Sequence, residues 1–209
     1  MNEKTVSEGR KRILDAAEAL FMEHGYRAVS IRDIAQVCDV TNAALYYHFP
    51  NKAALFSEVM ERYAQRFQAQ LWDVIDTADN AREQASAVLK KFATMIAVQE
   101  APLFAVRREF KELDDPNAVD EAKRIYHSVL EPLEDVLRGA IERGELEAIP
   151  EGYSPASLLF GMMHGSTMHY KFRGHKEVSP QQVEEVVDLV IQVFWDGLKT
   201  PENIRIQKG

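Results

Sequence analysis

The spacing of helix start and stop signals in the first quarter of the chain constrains its fold more than any other feature. Gly25 is a natural end for a first helix, because glycine adopts left-handed backbone without steric cost. Ser30 with Asp33 three residues later is a capping box, and Thr41 is a good N-cap for another helix. Pro50 interrupts that helix after one or two turns. This spacing predicts two short helices behind a longer first helix.

Apolar residues in this region recur at helical spacing. A buried face is predicted for the first helix, formed by Ile13, Ala17, Leu20 and Phe21, and for the second, formed by Ile31, Ile34, Ala35 and Cys38. Asp39 follows where the chain must turn, and aspartate tolerates left-handed backbone, although glycine adopts it more easily. Asn51 can cap a fourth, long helix reaching about Trp72. Two short helices joined by a tight turn form the helix-turn-helix arrangement.

The rest of the chain also has helical periodicity. Longer helices are predicted over 80–99, 101–113, 117–143, 155–173 and 180–198, with a bend near Pro132. No segment alternates like a strand. We therefore predict an all-α fold with two domains. Residues 1–53 form a three-helix helix-turn-helix head with a basic N-terminal arm, which contains Arg10, Lys11 and Arg12, and residues 54–209 form a helical bundle.

The third helix supplies the predicted DNA-reading surface. If Leu45 defines its buried side, Ala43 and Tyr47 point almost the opposite way at ~100° per residue. Asn42 lies in the first turn, where recognition helices most often touch bases, and can pair with adenine. Lys52 opens the fourth helix, where a cation is unfavourable with the helix dipole, so a contact with DNA phosphate is a better explanation.

Other interpretations of these residues stay open at this point. Tyr46 and His48 could pack between the first and fourth helices, Lys52 could be an ordinary solvated lysine, and the basic arm could be idle.

Charge and hydropathy bound the partners and the compartment. The net charge is −8, but residues 1–53 hold seven basic and seven acidic residues, so a local basic patch can still bind DNA. No apolar run approaches the ~18 residues of a membrane span. The N-terminus lacks the apolar run of a secretory signal, and Cys38 has no cysteine to pair with. We expect a cytoplasmic protein without a membrane partner.

The head has a specific resemblance. Residues 12–60, with HGY, SIRDIA and V-T-x-x-x-LYYHF-x-x-K, resemble the DNA-binding head of the tetracycline-repressor-like (TetR) family. The resemblance implies a homodimeric, all-α transcriptional regulator, usually a repressor, with a small-molecule pocket in the C-terminal body. By position, it carries DNA contact onto Ser30, Arg32, Thr41, Asn42, Ala43, Tyr46, Tyr47, His48 and Lys52.

Two departures from the family pattern concern the operator. Asp39 stands where the turn usually has glycine, and Asn42-Ala43 stand where Lys-Gly is frequent. One phosphate or base contact is expected to differ, and so is the operator sequence.

The last two helices predict a homodimer. Helix 180–198 is apolar most of the way round, as expected of a helix buried on two sides, and glycines four residues apart in helix 155–173 allow close approach of another helix. Central burial in a single chain is the alternative. The predicted interface comprises Leu158, Gly161, Met162, Gly165, Val187, Val190, Ile191, Phe194 and Trp195. Two-fold symmetry places the reading helices ~34 Å apart on a palindromic operator.

The effector site is less legible, because each candidate is also an ordinary core residue. The candidates are Phe92, Met95, Phe104, Arg108, Tyr126, His127, Met163, His164, Thr167 and Tyr170. Arg108 could hold an anion, whereas Glu109 or Glu112 could hold a cation, so the sequence does not choose the ligand charge.

Signals for catalysis, metals and cofactors are weak. His164 and His169 are five apart, which is not the spacing of two ligands on one helical face, and HExxH, GxSxG and Gly-rich phosphate loops are missing from the sequence. We predict a ligand-responsive repressor rather than an enzyme, with no cofactor or metal. The alternatives are a helical small-molecule-metabolising enzyme with a vestigial head and an activator responding to a protein partner. The sequence does not identify the effector, the operator or the regulated genes.

Overall fold

The computed structural model describes residues 3–97, 110, 113, 117–172 and 178–197, with the side chains of 7–96, 110, 113, 117–169 and 178–197. These residues form eight helices: α1 (Glu3–Ala28), α2 (Ile31–Val37), α3 (Asn42–His48), α4 (Lys52–Asp76), α5 (Ala81–Ala97), α6 (Ala118–Glu142), α7 (Pro155–Phe172) and α8 (Pro180–Gly197). The described part of the chain contains no strand, and the all-α prediction is confirmed.

The predicted start and stop signals in the head are confirmed. Gly25 has a φ of 78° and interrupts the helical geometry of α1, which resumes as far as Ala28. Thr41 Oγ1 accepts a hydrogen bond from the Ala44 N–H at 3.1 Å. Asn51 Oδ1 accepts one from the Ala54 N–H at 2.7 Å. These caps satisfy N–H groups that a helix start leaves without partners.

Two helix boundaries differ from the sequence prediction. α1 begins at Glu3, so the basic arm is a helical extension rather than a separate segment. α4 continues to Asp76, beyond the predicted end near Trp72, because Leu71 and Ile75 are buried four residues apart and continue its apolar face.

Internal packing divides the chain into two compact units. The first unit comprises residues 1–67 and 102–128, and the second comprises 68–101 and 129–209. α4 and α6 each begin in the first unit and end in the second. In the second unit α5, α7 and α8 pack on one another. This division concerns packing, so the functional boundary between residues 53 and 54 stays a prediction.

Helix predictions for the body have mixed outcomes. α5, α6, α7 and α8 form close to the predicted ranges, and α6 runs on through Pro132. Within the predicted 101–113 helix only Phe110 and Leu113 are described, and both are buried. Among the described residues, no helix has the length and apolarity required to cross a membrane.

Candidate nucleic-acid interface

α3 is anchored by one side and leaves the other exposed. Leu45 is its only buried residue, and Phe49, which caps the helix, is 2% exposed. Tyr47 is 69% and Tyr46 is 50% exposed. The four residues from Thr41 to Ala44 are exposed as well. The first turn and the outer face of α3 are therefore free to meet another molecule.

The turn before α3 has the predicted left-handed residue. Asp39 has a φ of 53°, the only positive value among the described non-glycine residues. The Val40 N–H donates to the Ala35 carbonyl at 3.0 Å, and the Asp39 N–H donates to the Gln36 carbonyl at 3.2 Å. These bonds close the end of α2 and set the direction in which the chain enters α3.

The start of α2 uses its polar groups within the protein. Ser30 Oγ donates to Asp33 Oδ2 at 2.6 Å and accepts from the Asp33 N–H at 3.2 Å. The Ser30 N–H also donates to Asp33 Oδ2, at 2.8 Å. Hydrogen bonds from the Ser30 side chain, followed by its backbone, lower the pKa of Asp33. Ser30 is thus held as a cap, while Arg32 beside it is exposed.

Lys52 is held in place rather than freely solvated. Its Nζ lies 4.0 Å from the centroid of the Tyr26 ring, and its side chain is half-buried. Burial lowers the pKa of Lys52, and the nearby Asp33 carboxylate partly opposes this effect. The Tyr26 ring in turn contacts Phe56, with 5.0 Å between ring centroids. A lysine fixed on an aromatic face is pre-positioned for an anion outside the protein.

His48 and Tyr46 have different surroundings, although packing between the first and fourth helices was considered for both from the sequence. His48 is half-buried beside α1, since a Cβ built at Gly9 would come within 3.5 Å of its Nε2. The His48 ring also meets the edge of Tyr47, at 5.2 Å between centroids. Tyr46 keeps half of its surface exposed. Partial packing therefore occurs for His48, while Tyr46 and Tyr47 form the open rim of α3.

The basic arm has partners inside the protein that the sequence did not reveal. Arg10 pairs with Glu58 of α4, and Arg12 Nη2 donates to the Cys38 carbonyl at 2.6 Å. Lys11 between them is exposed. The partners lie 48 and 26 residues away in sequence, so no local pattern could have predicted them.

Part of the predicted effector set lies in the core of the second unit. Phe92, Met95, Met163 and Thr167 are buried there. Thr167 Oγ1 donates to the Met163 carbonyl at 3.0 Å, a bond within one helix. Burial lowers the pKa of the half-buried His164. These residues make a well-packed apolar region with few polar groups.

Phe160 belongs to this region and was missed by the sequence analysis. Its ring lies 5.1 Å from that of Phe92 and 5.9 Å from that of His164, measured between centroids. Phe160 precedes His164 by four residues, which is the spacing of neighbours on one helical face. The four-residue spacing from His164 could have placed Phe160 among the predicted effector residues.

The other effector candidates are not grouped with these residues. Tyr126 and His127 belong to the first unit and are exposed, with ring centroids 5.8 Å apart. Phe104 and Arg108, and the side chain of Tyr170, lie outside the described residues.

A polar cavity of about 670 Å³ occurs in the first unit, and none of the predicted effector residues lines it. It is open to solvent and is lined by Arg10, Ala54, Ser57, Glu58, Glu61, Arg62, Gln65 and Glu121. Ser57 Oγ donates to Glu121 Oε2 at 2.7 Å. Its walls come from three helices and consist of ordinary charged residues, so the sequence carried no signal for it.

The predicted dimer residues fall into two groups. Val187, Val190, Ile191, Phe194 and Trp195 are buried within the single chain, because this face of α8 packs on α5 and α7. Leu158 is 45% exposed, Gly161 and Gly165 are exposed, and Met162 is half-buried. On the outer face of α8, Leu189 and Val193 are 60% and 52% exposed. Apolar surface for a partner therefore lies on α7 and the outer face of α8.

Among the described residues, no group of three or more His, Cys, Asp and Glu side chains could hold a metal ion.

Comparisons with known proteins agree with this geometry. Residues 13–59 match the family described as "Bacterial regulatory proteins, tetR family". The HTH-type transcriptional repressor KstR2 of Rhodococcus jostii (strain RHA1) is 23% identical over 195 residues, which cover 93% of each chain.

Solved structures match almost the whole chain. A putative TetR-family transcriptional regulator from Mesorhizobium loti MAFF303099 aligns with a TM-score of 0.73 and 21% identity, covering 94% of this chain and 98% of that one. The transcriptional regulator FadR from Bacillus subtilis, in complex with stearoyl-CoA, aligns with a TM-score of 0.67 and 19% identity, covering 90% and 98%. The helix-turn-helix geometry and the matched family lead to one conclusion: residues 13–59 form a head of the tetR family of bacterial regulatory proteins.

Proposed function

We propose that this chain is a ligand-responsive transcriptional repressor, which binds a palindromic operator as a homodimer and leaves it when a small molecule binds the C-terminal body. The observation that carries the proposal is the geometry of α3. Its buried residue Leu45 faces the protein, while its first turn and tyrosines are exposed at the end of a capped helix-turn-helix. A capped, exposed second helix is the arrangement that enters a major groove.

The exposed face of α3 divides into base-reading and phosphate-contacting residues. Thr41, Asn42 and Ala43 occupy the first turn, where small or bidentate side chains approach base edges. Tyr46 and Tyr47 present hydroxyl groups beside this turn and contact phosphates.

Residues around α3 extend the phosphate contacts. Lys52, with its ammonium group fixed on Tyr26, contacts a phosphate next to α3. His48 contributes from the inner edge of α3, and Arg32 contributes from the start of α2. The hydroxyl and the N–H of Ser30 both donate to Asp33, so Ser30 supports the start of α2 rather than contacting a phosphate.

The dimer interface is proposed on α7 and α8. A Cβ built at Gly161 or Gly165 meets no atom within 4 Å, which leaves room for a partner helix. Exposed Leu158 on α7, and exposed Leu189 and Val193 on α8, supply apolar area. The inner face of α8 is buried beneath this surface and consists of Val187, Val190, Ile191, Phe194 and Trp195.

The effector is proposed to bind in the second unit, where Phe160 contacts both Phe92 and His164. Met95, Met163 and Thr167 belong to the same core. Methionine side chains repack around varied apolar ligands. The stearoyl-CoA complex of FadR from Bacillus subtilis supports a small-molecule effector for this fold.

Coupling between the two sites is proposed to run through α4. This helix spans Lys52–Asp76 and contains neither proline nor glycine, so it can transmit a shift along its axis. A ligand that favours one position of α4 changes the operator affinity by its differential binding to the two states.

Selection of operator sequences from random DNA, followed by release assays with small molecules, tests the proposal. We expect palindromic sequences, dimers in sedimentation, and a ligand that changes operator affinity by about fivefold or more. Leu158→Glu is the variant that should give monomers, and Glu184→Gln, an exposed α8 change, is its matched control. Recovery of sequences without two-fold symmetry would contradict the proposal.

A further inference from the structure

We infer that Arg10 and Arg12 of the basic arm are positioning residues, Arg12 fixing the C-terminal end of α2 and Arg10 that of α3, and that Lys11 is the arm residue left to contact a phosphate. The inference rests on the proposed binding of an operator. It differs from the simplest interpretation of the arm, in which all three cations contact the DNA backbone.

Arg12 closes the end of α2. Its Nη2 donates to the carbonyl of Cys38, the C-cap residue, at 2.6 Å. The Cys38 thiol lies 3.7 Å from the Arg12 carbonyl and donates back to it. The last carbonyls of a helix lack intrahelical partners, and a cation is favourable at this end of the helix dipole. Arg12 therefore fixes the point from which Asp39 turns the chain into α3.

Arg10 closes the end of α3. Its two terminal nitrogens donate to the two carboxylate oxygens of Glu58, and its Cζ lies 4.7 Å from the centroid of the Phe49 ring. Phe49 is the C-cap of α3 and is 2% exposed. A planar guanidinium can make a bidentate pair and stack on a ring at the same time, which an ammonium group cannot do. Arg10 thus ties the end of α3 to α4.

The contacts along α1 continue this arrangement. Asp15 pairs with Arg62, and Glu18 pairs with Arg66, so three successive ion pairs join α1 to α4. Gly9 lies beside His48, since a Cβ at this position would stand 3.5 Å from His48 Nε2. The arm is therefore held against the C-terminal ends of α2 and α3.

Lys11 is the arm cation that no described contact ties to α2 or α3, whereas the equally exposed Arg12 is held through Nη2 by the Cys38 carbonyl. Lys11 is exposed and makes no ion pair with any residue that the structure describes. Arg10 would have to leave Glu58 to reach a phosphate, and Arg12 would have to turn its Nη2 away from the Cys38 carbonyl. A phosphate contact by either arginine therefore competes with the positioning of α3, whereas a phosphate contact by Lys11 would break no contact that the structure describes.

Salt dependence separates the two roles. Each phosphate contact contributes about 0.9 to the slope of log affinity against log salt. A positioning residue lowers affinity by misplacing the contacts of other residues, so its loss leaves the number of neutralised phosphates nearly unchanged. Arg10→Gln, Arg12→Gln and Lys11→Gln remove one charge each and form a matched set.

The test measures affinity of the full-length variants for the selected operator and for random DNA between about 50 and 200 mM salt. Lys11→Gln should lower the slope by about one on both DNAs. Arg10→Gln should weaken operator binding by about three- to fivefold at unchanged slope, as expected for a partly exposed ion pair. Arg12→Gln should also weaken operator binding at unchanged slope.

The charge-swapped double variant Arg10→Glu with Glu58→Arg gives a rescue test. It should recover part of the operator affinity that Arg10→Glu alone loses, because the swap restores the ion pair with position 58 but not the guanidinium contact with Phe49. This recovery would not occur if Arg10 touched DNA. A slope reduced by about one in Arg10→Gln or Arg12→Gln, or a swap that fails to rescue, overturns the inference.

Amide hydrogen exchange gives a readout that needs no DNA and separates this inference from the proposed function. Arg12→Gln should speed exchange at Asp39 and Val40, and Arg10→Gln should speed exchange at Phe49, whereas Lys11→Gln should change none of these amides. Unchanged exchange in both arginine variants overturns the inference even if no operator is found. Selection that yields no palindrome, with exchange changed as expected, overturns the proposed function alone.

Discussion

α3 and α8 differ in how much of their surface is buried. α8 has eighteen residues and buries seven of them against its own chain, whereas α3 has seven residues and buries only Leu45. α8 is therefore stabilised by burial. α3 keeps its outer face free, and its stability depends on one apolar anchor, its caps and its neighbours. A surface that must meet another molecule has to be held from its ends, because burying its face would remove the function.

The largest expected effect comes from the single anchor of α3. Leu45→Ala should destabilise the protein by about 2–5 kcal/mol, since it removes a fully buried side chain and leaves a cavity. Denaturant titration followed by circular dichroism measures this loss. Tyr47→Ala on the exposed side of the same helix is the control and should change the unfolding free energy by less than about 0.5 kcal/mol. Equal losses for the two variants would break the comparison.

The next effect tests the outer face without changing the fold. Asn42→Ala should weaken operator binding by about 1–3 kcal/mol, the cost of a lost bidentate base pairing, and should leave binding to random DNA unchanged. Titrations against the selected operator and a scrambled sequence measure the difference. An equal loss on both DNAs would remove Asn42 from the base-reading set.

A smaller effect is expected at the cap of α3. Thr41→Ala should cost about 1 kcal/mol of stability, because the Ala44 N–H loses its side-chain acceptor. Thermal unfolding checks this, and Thr41→Ser, which keeps a hydroxyl, should stay close to the parent. A null result for Thr41→Ala would mean that α3 does not depend on its cap.

The smallest effect concerns the packed unit. Burial lowers the pKa of His164 below its usual 6.5, so between that value and the lower folded pKa the unfolded chain takes up a proton that the folded chain does not. The contribution of His164 to stability therefore falls as pH falls below about 6.5. His164→Gln should lose less stability than the parent between about pH 7.5 and 5.5 in denaturant titrations. Ser166→Ala, on the same helix and without a titratable group, should follow the parent.

Local features of the head could be predicted because their partners are near in sequence. The Ser30–Asp33 box, the Thr41 cap and the Asn51 cap each join atoms three residues apart. Asp39 adopts left-handed backbone where the turn demanded it. By contrast, the pairing of Arg10 with Glu58 spans 48 residues, and a basic cluster in a sequence does not reveal whether its charges face DNA or the protein.

The body shows the corresponding limit for apolar residues. The sequence indicated that α8 is apolar most of the way round, but it could not say which side its own chain covers. The structure places Val187, Val190 and Phe194 against α5 and α7 of the same chain, and leaves Leu189 and Val193 outside. The effector candidates are ambiguous for the same reason, because a buried aromatic residue looks the same in sequence whether it fills a core or lines a pocket.

The sequence by itself determined the described helices, the caps, the helix-turn-helix order and the family of the head, because these depend on backbone conformation and on residues within a few positions of one another. Only the tertiary structure decided which charges are free, which apolar side chains remain exposed and which residue anchors α3. Those properties depend on contacts between segments far apart in the chain. Whether a side chain is buried, paired or exposed there depends on the residues packed against it and not on its amino-acid type alone.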